Sequence, residues 1–212
     1  MSNELVIPGN DGSTDLDVFE SMSDMGDAFL PRLQLFSGKT DACTEGRIPV
    51  NHYGLVDGDD IIDLDTEIIV AVLAARHKAM CTDGDVQSSF DPNSELFKDF
   101  VARSSIKDSG CMYGPEFLVF VPSAGKFATY FMGSKTARRE AKKFKPLMSK
   151  PAKLSSKPIE KGKFKWLGPV ILPSDEVVDI PDMAKATAEC EKFRNPPEDK
   201  VEAAPSDEGR DR

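Results

Sequence analysis

Histidine is almost missing from this chain, with His52 and His77 alone among 212 residues. A Ser, Cys or Thr nucleophile needs a nearby base, most often histidine, so nucleophilic catalysis has few ways to be assembled here. The strand-to-helix serine elbow, the glycine-rich phosphate loop ending in Lys-Ser/Thr and the dinucleotide fingerprint are all lacking. Glu140-Ala-Lys142 has the acid-x-Lys spacing of some metal-dependent nucleases, but it falls within a basic helical pattern rather than on a strand beside a second acid. The expectation is a protein that is not an enzyme and needs no cofactor.

Cysteine is equally sparse. Cys43, Cys81, Cys111 and Cys190 stand far apart with no Cys-x-x-Cys pair, which argues against a structural zinc site and for free thiols in a reducing cytoplasm. Asp57, Asp59, Asp60, Asp63 and Asp65 lack the spacing and distal Glu of a calcium loop and read as a solvated turn. No apolar run is long enough to span a bilayer, and Met1-Ser-Asn-Glu-Leu-Val-Ile-Pro8 has no basic region before an apolar one. Neither membrane insertion nor secretion is expected, and the localisation implied is cytoplasmic.

What the chain does have is charge, unevenly placed. Its formal net charge is −9, and residues 1–28 hold seven Asp or Glu and no Lys or Arg. From Ser134 to Trp166, in contrast, twelve Lys or Arg face only Glu140 and Glu160, a local charge of +10. Screening cuts exposed charge interactions beyond about 8–10 Å, so a ligand responds to this local field and not to the total. A positive segment with aromatic residues beside it suits a polyanion, and single-stranded nucleic acid uses both parts, phosphates for the cations and base faces for the rings.

The length suits one domain with tails. Residues 1–28 read as a disordered acidic arm, 29–173 as a β-rich domain, 174–194 as a C-terminal helix and 195–212 as a disordered acidic tail. Within the domain, strands are expected at 29–36, 47–56 and 61–64, and at 67–76, where the β-branched Ile68, Ile69, Val70 and Val72 favour a buried strand. Arg76, His77 and Lys78 then read as a strand end meeting water. Leu96, Phe97, Phe100 and Val101 mark a short amphipathic helix at 93–102, and 109–115 reads as a loop in which Tyr113 either stacks on a base or closes over the core.

Two apolar runs, 117–122 and 126–132, joined by Ser123-Ala-Gly125, read as strand, turn and strand. Ser134 is placed to cap a basic helix that runs toward Pro146. Lys135, Arg138, Arg139, Lys142 and Lys143 on that helix, with Lys163 and Lys165 beyond it, are the expected phosphate contacts. If Phe127 and Phe131 are core, Tyr130 is exposed, so Tyr130 and the single tryptophan, Trp166, are the expected stacking platforms. A helix of 180–193 begins at Pro181.

Gly110-Cys-Met-Tyr-Gly-Pro-Glu-Phe117, Met132-Gly-Ser-Lys-Thr-Ala-Arg-Arg139 and Glu160-Lys-Gly-Lys-Phe-Lys-Trp-Leu-Gly-Pro169 together resemble the core of phage-encoded single-stranded-DNA-binding and recombination-associated proteins, over residues 30 to 172. The resemblance implies a mostly β (α+β) fold with an OB-like barrel of five or more strands and a groove for unpaired DNA. It also implies a part in bacteriophage DNA replication or recombination in the host bacterial cytoplasm, with replication or recombination proteins as partners. Many such proteins end in an acidic tail with a terminal aromatic that recruits those partners; here the tail ends Asp207-Glu-Gly-Arg-Asp-Arg212 without one. The rival expectation is a phage accessory or inhibitor protein that binds a host protein through its acidic surfaces.

Overall fold

The computed structural model describes residues 30–83 and 86–196. The expected acidic arm, and the expected tail from residue 197, lie outside the described residues.

The described residues from Pro31 form one compact unit, mostly β, built on a nine-stranded sheet that curls into a half-barrel. The strands are β1 (Arg32–Leu35), β2 (Tyr53–Asp57), β3 (Asp60–Asp63), β4 (Ile68–Cys81), β5 (Gln87–Ser89), β6 (Cys111–Val121), β7 (Lys126–Phe131), β8 (Pro151–Lys161) and β9 (Phe164–Pro173). Their order is β3-β2-β1-β7-β6-β4-β8-β9, with β5 branching from β4. All pairings are antiparallel except the short β1–β7 contact. The helices are α1 (Asp41–Thr44), α2 (Glu95–Arg103), α3 (Lys135–Ala141), continued by a 3₁₀ turn at Lys142–Leu147, and α4 (Met183–Arg194).

β4 organises the sheet. It pairs with β8 through Ile68–Ala71 and with β6 through Ala71–Cys81, and a register shift between Val72 and Ala74 divides the two halves. An extra residue at such a point bends and twists a strand, which lets one strand serve two parts of a curled sheet. The curl brings the two sides of the half-barrel together: the Tyr53 hydroxyl on β2 donates to the Ser155 carbonyl of β8 at 2.8 Å. Beside it, Ser156 bonds the Asn51 side chain.

The main core fills the inside of this curl. Val70 and Val72 of β4, Phe117, Val119 and Val121 of β6, and Leu154 and Ile171 of the β8–β9 hairpin pack with Phe144 and Leu147 from the 3₁₀ turn. Tyr130 belongs to the same cluster, edge-on to Tyr53 at 6.3 Å and to Phe144 at 6.4 Å. A second cluster holds α2, through Phe97 and Phe100, against Ala79, Cys81 and Cys111.

The strand-turn-strand at 117–132 and the long strand from Ile68 match expectation, and α2 begins one residue after its cap Ser94. Other segments differ. The supposed loop 109–115 is the first half of β6: Gly114 is there because a Cβ would run into the Met132 carbonyl, so the glycine marks close backbone approach and not a turn. Residues 47–51 precede β2 instead of belonging to it, α1 had no signature in the pattern, and α4 starts at Met183 behind the cap Asp182.

Cys81 and Cys111 are joined as a disulfide, against the expectation of four free thiols. They stand directly opposite each other in the β4–β6 ladder, a juxtaposition that sequence spacing does not reveal. Cys43 and Cys190 are free. Among the described residues no helix is long and apolar enough to cross a membrane.

Candidate nucleic-acid interface

The β8–β9 hairpin leaves the body of the sheet. β8 pairs with β4 only as far as Leu154, whereas its pairing with β9 continues to Lys161 opposite Phe164. Its outer half is therefore an arm whose two strands are each other's sheet partner. Side chains alternate along it, and Lys157, Ile159 and Lys161 of β8 share one face with Phe164, Trp166 and Gly168 of β9. Phe164 is 65% exposed and Trp166 38%, values that set these rings apart from the buried aromatics of the core.

Helix α3 closes against this arm. The Ser134 hydroxyl accepts from the Ala137 N–H, the cap expected from sequence, and Ala137 and Ala141 turn inward. The helix tightens to 3₁₀ geometry before Pro146, which cannot donate to a helical ladder. Glu140 then ties it to the sheet edge by accepting the Ile171 N–H at 3.0 Å while pairing with Lys143. Partial burial disfavours that carboxylate, but the Lys143 and Ile171 hydrogen bonds outweigh it and hold its pKa below the usual range. At the helix start, Thr136 sits over Gly168, where a Cβ would come within 3.2 Å of the Thr136 methyl and collide with Ile159. Gly168 thus permits the basic helix to meet the face that carries Trp166.

Of the expected phosphate contacts, Lys135, Arg139, Lys142 and Lys143 are exposed on the helix, and Lys163 and Lys165 lie at and beyond the hairpin turn. Lys143 is paired with Glu140, and Lys165 with Glu160 at 2.7 Å across the hairpin on the side away from Trp166. Among the described residues, Lys135, Arg139, Lys142 and Lys163 have no ion-pair partner, and neither do Lys157 and Lys161, which were not among the expected phosphate contacts. Alternation from Trp166 through the hairpin register is the signal that identifies these two.

Two of the expected site residues are placed otherwise. Arg138 turns back into the protein: its guanidinium donates to the Tyr113 and Gly133 carbonyls at 2.8 and 2.7 Å and lies 4.1 Å over the Tyr113 ring. Half-buried Tyr113 packs beside the α2 cluster, closing over the protein. Tyr130 is only 4% exposed, and its ring is core. Its strand is covered on both faces, with Phe127 stacked near Phe120 on one and Tyr130 in the half-barrel on the other, so burial of Phe127 does not expose its neighbour.

Arg76 and Lys78 also depart from the expected water-facing strand end. They hold the Glu116 carboxylate, 1% exposed, at 2.6 and 2.7 Å. The Arg76 guanidinium is sandwiched between Phe90 at 3.8 Å and Phe193 at 4.1 Å and donates to the Phe193 carbonyl, which fastens α4 to the sheet. His77 alone points outward.

No known protein family, curated protein or solved structure significantly matches this chain.

Proposed function

We propose that this protein binds single-stranded DNA without strong sequence preference, through an OB-like half-barrel whose binding surface is the outer β8–β9 arm and helix α3. The observation that carries the reading is the shared face of the arm: two exposed rings, Phe164 and Trp166, flanked by Lys157 and Lys161 and continued by the exposed cations of α3. Rings on such a face stack on bases of any sequence, and cations around them follow the phosphates. Lys135, Arg139, Lys142, Lys157, Lys161 and Lys163 take the phosphate role; Arg138 positions the helix. A protein of this kind serves DNA replication or recombination, as a bacteriophage would need in a host cell.

The test is fluorescence anisotropy of a labelled oligo-dT against the full chain across salt concentrations. Affinity is expected to fall steeply as salt rises, and Lys157, Lys161 and Lys163 changed together to Ala should flatten the slope of log K against log salt by about 2, at roughly 0.7 per lost phosphate contact. An unchanged slope in that variant removes the arm from the reading.

A further inference from the structure

The sheet ends in two strands whose outer edges have no partner among the described residues, β3 on one side and β9 on the other. We propose that a second copy of this chain occupies these edges head to tail, with β3 of one copy adding antiparallel to β9 of the next.

Hydrogen-bond alternation fixes what each edge offers. The Leu64 N–H donates to the Tyr53 carbonyl, toward β2. Ile62 must then face β2 as well, and Ile61 and Asp63 direct their N–H and C=O groups outward. On β9 the Ile171 N–H points away from β8, to Glu140, so Leu167 and Lys165 point the same way. Pro169, between Leu167 and Ile171, has no N–H, and the usable part of the edge is therefore Lys165 to Leu167. Each edge thus presents two residues, spaced by one, with a donor and an acceptor apiece.

Setting Ile61 opposite Leu167 and Asp63 opposite Lys165 satisfies all of these groups in one register. The same register places Ile62, 37% exposed, against Trp166 and, one residue past the end of β3, Leu64 against Phe164. Apolar meets apolar at three positions and acid meets base at one, Asp63 with Lys165. Edges usually carry charge to prevent pairing. Within one copy Asp63 pairs with His52 at 2.8 Å and Lys165 with Glu160 at 2.7 Å, so the contact exchanges these pairs for Asp63 with Lys165. Acid on β3 and lysine on β9 repel like edges and leave β3 with β9 favoured. Because the two surfaces differ, the contact is heterologous and builds open chains or rings. It is short, and so belongs with weak, transient interfaces.

Sedimentation velocity of the full chain without DNA tests this apart from any binding of nucleic acid. The wild type is expected to associate with rising concentration at low salt and to sediment as a monomer at high salt. Asp63→Lys alone and Lys165→Asp alone should each associate about tenfold more weakly, the effect of losing about 1.4 kcal/mol. Their equimolar mixture should recover association, since each supplies the edge the other lacks. In a chain with Cys43 and Cys190 replaced by Ser, a mixture of Ile62→Cys and Trp166→Cys should oxidise to a mixed dimer, which checks the register without charge changes. A wild type that stays monomeric at every concentration in low salt overturns the proposal, as does association that both charge variants leave unaltered.

Discussion

Two places in this protein set cations against aromatic rings, and they dispose of the charge in opposite ways. On the sheet face beneath α4, Arg76 and Lys78 are held by a buried carboxylate and roofed by Phe90 and Phe193. On the β8–β9 arm, Lys157 and Lys161 flank the exposed Phe164 and Trp166 with no ion-pair partner among the described residues, and the Glu140 carboxylate of α3 only feels the Lys157 charge from a distance. The residue types are the same. What differs is whether the protein supplies the counter-charge itself, as it does beneath α4, or leaves it to a ligand, as on the arm. Composition alone does not distinguish a structural clamp from a binding surface; the location of the compensating acid does.

The largest effect expected from breaking this comparison lies in the closed cluster. Glu116→Ala strands two largely buried cations and should cost about 3–5 kcal/mol of folding stability, read as a drop in the urea midpoint. Next is the covalent link behind the same strand pair. Replacing Cys81 and Cys111 with Ser opens a loop of sequence separation 30 and should cost about 3–4 kcal/mol by the same measurement.

The open arm should behave in reverse. Trp166→Ala is expected to weaken oligo-dT binding by about 1–3 kcal/mol, measured by anisotropy, while folding stability moves by no more than about 0.5 kcal/mol. The smallest effect concerns Glu140. Its depressed pKa means that its contribution is fully present above the ordinary carboxylate value of about 4.3 and is lost as pH falls through the lower folded value. Glu140→Gln should therefore be less stable than the wild type near neutrality, with the two urea midpoints converging in strong acid.

Elements made by local pattern were legible in the sequence. The β-branched run of β4, the alternation of the β6–β7 hairpin, and Ser134 as the cap of α3 each need only neighbours within a few residues. Pairings over distance were not. Glu116 lies 40 residues from Arg76 in the chain, and nothing local indicates that the β4–β6 register sets them opposite each other. The Cys81–Cys111 link was hidden for the same reason. Tyr130 was misjudged because alternation separates core from solvent only when one face is wet, and β7 is covered on both sides. Lys157 and Lys161 were legible in principle, since a two-residue turn at Gly162-Lys163 sets Lys161 opposite Phe164 and alternation from there puts Lys157 and Lys161 on the face of Trp166.

The most direct measurement follows the emission of Trp166, the chain's only tryptophan, while oligo-dT is titrated in at low salt and then released by added salt. Quenching that saturates with DNA and reverses as salt dissociates the complex is the expected result. An emission that stays constant while anisotropy reports binding would contradict the account, because the DNA would then lie elsewhere on the protein.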